Sequence, residues 1–220
     1  MEPAVRADLS RTWALVPIRG LETAKTRLGG DLDAEERRDL VVDLLRRTLR
    51  ATRDARRMAG TIVVTMDPAA AGIARDHGAI GLVERAPGLN GAIVAARSLA
   101  IARGATAVVV LPADLPAIDA GAVDALVAAA ADPQVGVGPT DSPGVVVIVA
   151  DRHGSGTNAL LVSPPLLVDP MFGVASLELH RAAAAGAGAR LVELDGPLAL
   201  DVDTPDDLVA AETAMGAIRG

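Results

Sequence analysis

The sequence predicts an α/β sandwich, with helices packed on a mainly parallel sheet. Three observations predict it. Short β-branched runs, almost continuous in hydrophobicity, recur along the chain as buried strands do. Segments of helical period lie between many of them. Half of the 220 residues are apolar, enough to fill a sizeable core. The chain reads as one domain over 1–220, with residues 1–10 as a flexible N-terminal extension.

TWALVP (12–17) is the first strand. Asp33 to Arg53 follows as a helix, because Leu40, Val41, Leu44, Leu45, Thr48 and Leu49 make one apolar stripe. TIVVT (61–65) and AIGLV (79–83) are strands on either side of a helix at 68–76. A helix over 89–103 leads to the strand TAVVVL (106–111), and another spans 119–131, with Asp119 well placed to cap it. VGVG (135–138), VVVIVA (145–150) and NALLV (158–162) come strand after strand between Gly and Pro turns. This predicts an antiparallel insertion over 135–162 beside the main sheet. A helix at 174–185, the strand ARLVEL (189–194) and a helix at 204–217 complete the chain. The last helix opens with Thr204 as N-cap, Pro205 in the first turn and Asp207 at the third position.

Composition excludes several functions. The core is filled by Val, Leu, Ile and Ala, with one Trp (Trp13), one Phe (Phe172) and no Tyr. With no cysteine, disulfides and thiolate metal sites are excluded. The N-terminus has no apolar signal core, and the longest apolar runs are too short to span a bilayer. A cytoplasmic protein with no membrane partner is expected. A net charge of -7 argues against a nucleic-acid binder, though not against a small phosphorylated ligand.

In an open α/β sheet, ligands bind beyond the carboxyl ends of the strands. The first such end is WALVPIRGLETAKTRLGG, where a basic loop with Arg19, Lys25 and Arg27 follows Pro17. It matches neither a Walker A loop nor GxGxxG. Lys25 is the single lysine among 21 basic residues, which marks a place where a compact, mobile ammonium is wanted rather than a planar fork. In APGLNGAI, Gly88 and Asn90 offer a close-approaching backbone and a donor–acceptor side chain to a nucleobase; the alternative for Asn90 is a turn or cap. In VVVLPADLPAID, Asp114 lies just past a strand end, as a magnesium ligand does.

LALDVDTPDDL poses a further question. Asp206 and Asp207 suit the start of a helix. Asp201 and Asp203, two apart in an extended stretch, point to one side and repel. Brought together with Asp114, they become intelligible as a coordination site for divalent cations and a triphosphate. DRHGSGTNALL adds a glycine loop, 154–157, whose backbone N–H groups are expected to approach an anion, and the Thr157 hydroxyl. Gly173 to Ser176 reads as a helix start favouring phosphate or carboxylate. His180 lies one turn beyond Ser176 on the same face, either touching an acid group or structural. His77 reads as structural.

VPIRGLETAKTRL, PGLN, PADLP, DRHGSGTNALL, FGVASLELH and LDVDTPDDL occur in this order over about nine-tenths of the chain. Together they resemble the 2-phospho-L-lactate guanylyltransferase family, which includes the phosphoenolpyruvate guanylyltransferases of coenzyme F-420 biosynthesis. The resemblance implies a nucleotide-diphospho-sugar transferase (glycosyltransferase-A-like) fold, a three-layer sandwich. It implies transfer of GMP from GTP to phosphoenolpyruvate or 2-phospho-L-lactate, with pyrophosphate release and Mg²⁺ as cofactor. The product would pass to the transferase that accepts the deazaflavin Fo. Residue by residue, Pro17, Arg19, Lys25 and Arg27 would contact the GTP phosphates, and Gly88 and Asn90 the guanosine. Asp114, Asp201 and Asp203 would hold magnesium, while Thr157, Gly173 and Ser176 would bind the acceptor. Lys25 and Asp114 would be catalytic. Arg19 stands where many relatives have Lys, Ala175 replaces a frequent Gly, and the first ten residues fall outside the pattern.

The expected chemistry needs no protein nucleophile, since the acceptor phosphate is already ionised. The rival expectations are another acceptor on the same fold (3-phosphoglycerate, a molybdopterin or a sugar phosphate) and a catalytically silent nucleotide-binding subunit. A dehydrogenase is disfavoured because no GxGxxG follows the first strand. A homodimer is carried as an expectation only.

Overall fold

A computed structural model of the protein describes residues 7–25, 28–85, 88–139 and 141–218, with side chains described as far as residue 211. The elements run β1 (Thr12–Pro17), α1 (Ala34–Asp54), β2 (Met58–Thr65), α2 (Pro68–Asp76), β3 (Ile80–Val83), α3 (Gly88–Ala102), β4 (Ala107–Val110), α4 (Ala120–Ala131), β5 (Val145–Ala150), β6 (Thr157–Ser163), α5 (Ser176–Gly186), β7 (Arg190–Leu194) and α6 (Pro205–Ile218). A short 3₁₀ turn, Pro197–Ala199, lies between β7 and α6.

The seven strands form one sheet in the order β3-β2-β1-β4-β6-β5-β7. β1 pairs in parallel with β2 and β4, β2 with β3, and β5 with β7. β6 is antiparallel to both neighbours, β4 and β5. It is therefore the one strand of this sheet that runs against the rest. The hairpin expected beside the sheet lies inside it. β5 and β6 are buried on both faces, so their unbroken apolar runs belong in the interior rather than at an edge.

Side-chain alternation assigns the layers. Ala14, Val109, Val145, Val147 and Val149 face α1 and α4, while Trp13, Leu15, Val146 and Ile148 face α3 and α5. α2 packs on the α1 side, against Val16 and Val63. The result is the expected three-layer sandwich. Helix starts follow local chemistry. Asp33 and Glu36 form a reciprocal capping box on α1, and Asp67 and Asp119 cap α2 and α4. At α6, Thr204 and Asp207 bond each other's backbone N–H groups.

VGVG does not form a strand. It contributes one bridge, Val137 to Leu191, along the outer edge of β7. Gly136 has φ +95°, and a Cβ there would stand 2.3 Å from the Leu191 carbonyl oxygen, so the glycine permits a close crossing rather than a ladder. Residues 7–10 are tied down rather than flexible. Ala7 and Leu9 pack on the core, and the Ser163 hydroxyl donates to the Asp8 carbonyl. Residues 1–6 of the expected extension lie outside the described residues. Trp13 is buried over Gly60, whose missing Cβ would fall 2.6 Å from the indole ring, and the indole N–H has no acceptor among the described residues.

Candidate active site

Six strands end on one side of the sheet, and the reversal at β6 brings its first residue, Thr157, to that same side. A cleft of about 460 Å³ opens there. Pro17, Ile18, Arg19 and Lys25 line it from the loop after β1. Pro112 and Asp114 line it after β4, with Leu89 from the start of α3, and Phe172 and Asp203 close it.

The loop after β1 is held by its neighbours. Ile18 N–H donates to the Val64 carbonyl, and Leu21 N–H donates to Asp67 Oδ2, the carboxylate that also caps α2. Lys25 has φ +58°, an uncommon conformation for a non-glycine residue. Its ammonium donates to Asp114 Oδ2 at 2.9 Å and to Asp203 Oδ1 at 2.8 Å. The lysine side chain is only 8% exposed. Burial works against its charge, but Asp114 and Asp203 outweigh it, so its pKa lies above the usual 10.5.

Asp114 and the 201–203 stretch meet because the Val202 N–H donates to the Asp114 carbonyl at 3.1 Å. Asp203 is set further by Asp207, whose Oδ2 accepts from the Asp203 and Thr204 N–H groups and the Thr204 hydroxyl. Asp207 is buried and paired at 2.5 Å with Arg152. That contact is a charge pair without hydrogen-bond alignment, since Asp207 Oδ1 has no donor aimed at it. Asn158, also buried, holds the approach to this stretch by donating to the carbonyls of Leu198 and Ala199 and to Asp201 Oδ1 at 3.3 Å. Burial first, and then the charges of Asp114 and Asp203, raise the Asp201 pKa.

Of the residues singled out in the sequence, Pro17, Arg19, Lys25, Asp114 and Asp203 line the cleft. Asp201 stands beside them on Asn158. Arg27 lies outside the described residues. Among the described residues, no three His, Asp or Glu side chains are gathered closely enough to hold a metal ion. The expected trio is thus a pair, Asp114 and Asp203, bridged by Lys25, with Asp201 adjacent. An oxygen-only pair still fits Mg²⁺, which takes one or two carboxylates beside phosphate oxygens. After burial, the charges of Asp114 and Asp203 also push the Asp201 pKa up, and a dication would relieve that repulsion.

Two expectations need correction. The 154–157 loop does not offer its N–H groups to an anion. Asp151 takes those of Ser155 and Gly156 on its carboxylate and that of Gly154 on its carbonyl, and Ser176 Oγ takes that of Thr157. An aspartate close in sequence satisfies three of the four by closing only a short loop, the smaller entropic cost. Asn90 does not hold its amide ready for a nucleobase. Nδ2 donates to the Phe172 carbonyl at 3.0 Å, and Oδ1 accepts the Phe172 N–H at 2.8 Å. Asn90 therefore clamps the 171–175 turn onto the start of α3, where Gly88 has φ +75°.

Thr157 and Ser176 are buried behind Phe172, while Gly173 is exposed on the turn itself. His180 is buried between them and is structural in its contacts, as is His77, which bonds the Ile73 carbonyl. Phe172, Arg152 and Asp207 were not picked out in the sequence as site residues, although all three lie inside motifs that were.

The sequence matches the family described as "Guanylyl transferase CofC like" over residues 12–213. The chain belongs to that family. A phosphoenolpyruvate guanylyltransferase of Sphaerobacter thermophilus is 40% identical over 209 residues, covering 94% of this chain and 96% of its own. One from Rubrobacter xylanophilus is 40% identical over 205 residues, covering 93% and 95%. Among solved structures, a nucleotidyl transferase from Methanothermobacter aligns with TM-score 0.60 at 18% identity, covering 94% of this chain and 99% of its own. A 4-diphosphocytidyl-2C-methyl-D-erythritol synthase aligns with TM-score 0.59 at 13% identity, covering 94% and 99%. At those identities the structures establish the fold alone. It is the nucleotidyltransferase sandwich that the family resemblance implied. Among the described residues, no helix is long and apolar enough to cross a membrane.

Proposed function

We propose that this protein transfers GMP from GTP to a phosphorylated three-carbon acid, phosphoenolpyruvate first among them, in the assembly of coenzyme F-420. The observation that carries the proposal is the buried Lys25 held between Asp114 and Asp203 in the cleft at the strand ends, in a member of this guanylyl transferase family. Relatives named phosphoenolpyruvate guanylyltransferase support the choice of acceptor over 2-phospho-L-lactate.

An acceptor phosphate oxygen bonds to the α-phosphorus of GTP. The bond from that phosphorus to the oxygen bridging to the β-phosphate breaks, and pyrophosphate leaves with the electron pair. The attacking oxygen is ionised at neutral pH, so no general base is called for. Lys25 exchanges its carboxylate partners for phosphate oxygens and neutralises charge that grows on the leaving group. Arg19 and the backbone beyond Pro17 hold the triphosphate in line, and Gly88 and Leu89 lie along the guanosine. Mg²⁺, held by Asp114 and Asp203 with Asp201 adjacent, would supply further charge neutralisation for the phosphates. Thr157, Gly173 and Ser176, which stand behind and beside Phe172 rather than in the cleft lining, would receive the acceptor. The product then goes to the Fo-accepting transferase.

The test is pyrophosphate release with GTP, Mg²⁺ and, in parallel, phosphoenolpyruvate, 2-phospho-L-lactate and 3-phosphoglycerate, coupled to the Fo-accepting transferase. Turnover with phosphoenolpyruvate is expected. Silence with all three acids, but turnover with CTP or a sugar phosphate, would keep the cleft and overturn the substrate.

A further inference from the structure

His180 is fully buried on α5, and both of its ring nitrogens are engaged. The Met171 N–H donates to Nε2 at 2.9 Å. A backbone N–H can only donate, so Nε2 must accept, and a neutral imidazole then carries its proton on Nδ1. Nδ1 lies 3.0 Å from Thr157 Oγ1, which is thereby the acceptor of that bond. The Thr157 hydroxyl hydrogen is left to point elsewhere, and among the described residues it meets no acceptor. Ser176 repeats the pattern. Its Oγ accepts the Thr157 N–H at 2.9 Å, and its own hydrogen has no acceptor among the described residues.

The two hydroxyls are 6% and 2% exposed by residue, so neither is freely solvated. Buried hydroxyl donors are seldom left without partners. The pair lies behind Phe172, which lines the cleft and packs edge-on against the His180 ring with centroids 5.0 Å apart. Asn90 fixes Phe172 from the other side. Burial lowers the pKa of His180 to about 4, which keeps the ring neutral at physiological pH.

We infer that His180 is the positioning residue of the acceptor wall: its single ring proton forces the Thr157 hydroxyl to act as a donor, and its bare nitrogen holds the Met171–Phe172 turn in place. The inference deepens the proposed function and rests on its placing of the acceptor beside Thr157 and Ser176. Two buried hydroxyl donors without acceptors favour an acceptor oxygen, and a charged carboxylate or phosphate oxygen most strongly. His180 touches no reacting atom.

Two substitutions separate the two ring contacts. His180→Asn keeps a donor near the Nδ1 position and removes the acceptor for Met171. His180→Gln keeps an acceptor near Nε2 and removes the donor to Thr157. With phosphoenolpyruvate as the varied substrate, each should raise the acceptor KM roughly tenfold or more, leaving the KM for GTP within about twofold. Thr157→Val, combined with His180→Gln, should add little to either change alone. An acceptor KM that moves no more than the GTP KM would overturn the inference. A second measurement needs neither variants nor turnover: long-range proton–nitrogen NMR on the unmodified protein should show His180 as the Nδ1–H tautomer in slow exchange. An Nε2–H or averaging ring overturns the inference even where transfer is confirmed. An Nδ1–H ring in a protein that transfers GMP to none of the acids would place the failure in the proposed function instead.

Discussion

Replacing Lys25 with Met tests the charge arrangement of the cleft directly. The substitution keeps the length of the stem and the same backbone strain at φ +58°, and removes only the ammonium. At 2.9 and 2.8 Å, the two ion pairs have a gross attraction of about 6 kcal/mol each at an effective dielectric constant of about 20. Most of this is offset by the dehydration of a nearly buried ammonium. Asp114 and Asp203, with side chains 27% and 49% exposed, also regain water when the lysine goes. The net loss should fall between that of an exposed pair and that of a buried one, about 2 kcal/mol. In a chain of this size that lowers Tm by about 4–8 °C. Thermal unfolding in EDTA should show the drop. Millimolar Mg²⁺ should then raise the Tm of the variant more than that of the parent, because the cation meets two bare carboxylates instead of having to displace Lys25. An unchanged Tm in EDTA, or equal shifts with Mg²⁺, would refute the reasoning.

Asp114→Asn should abolish guanylyl transfer while circular dichroism keeps the parent's signature and Tm falls by no more than in Lys25→Met, since Asp203 still pairs with the ammonium; wild-type turnover would remove Asp114 from the catalytic set. Asp207→Ala strips acceptors from the Asp203 and Thr204 N–H groups and leaves Arg152 without its partner, so denaturant unfolding should show a loss of about 2–3 kcal/mol. The Mg²⁺ concentration for half-maximal rate should rise as well, because Asp203 loses its backbone anchor. Stability should fall as pH drops from about 6.5 through about 4, as the unfolded chain takes up the proton that folded His180 refuses. The loss across that window is roughly 3 kcal/mol, and His180→Gln should flatten the slope in urea titrations. Asp201, raised by burial and its acidic neighbours, opposes part of the effect. Asp67 and Asp207, held below 3.8, act only at lower pH.

What the sequence made legible was local. TWALVP and VVVIVA read as strands because a run of β-branched and aliphatic residues is buried on both faces wherever it lands. α1 could be placed by its apolar stripe, and α4 and α6 because Asp119 and Thr204 announce their starts. Lys25 could be singled out by its rarity, and Asp114, Asp201 and Asp203 by their place after strands. The partners of these groups were not legible. Lys25 meets Asp114 and Asp203 across 89 and 178 residues, and Asn90 meets Phe172 across 82. No periodicity encodes such pairings. VGVG misled because alternation with glycine has the period of a strand but not its side-chain packing. The GSGT loop misled because Asp151, the first residue of the same motif, competes for the donors.

The solitary tryptophan gives this protein an unusually quiet optical background. With no tyrosine, Trp13 accounts for nearly all intrinsic emission and most of the near-ultraviolet absorbance. Its ring is buried over Gly60 with no acceptor for the indole N–H, so the folded protein should emit at short wavelength and shift to the red on unfolding. It stands four residues before Pro17 on β1, an interior strand, about 13 Å from the mouth of the cleft along the chain. Fluorescence titration with GTP would report movement of β1 from one known position, without averaging over several emitters.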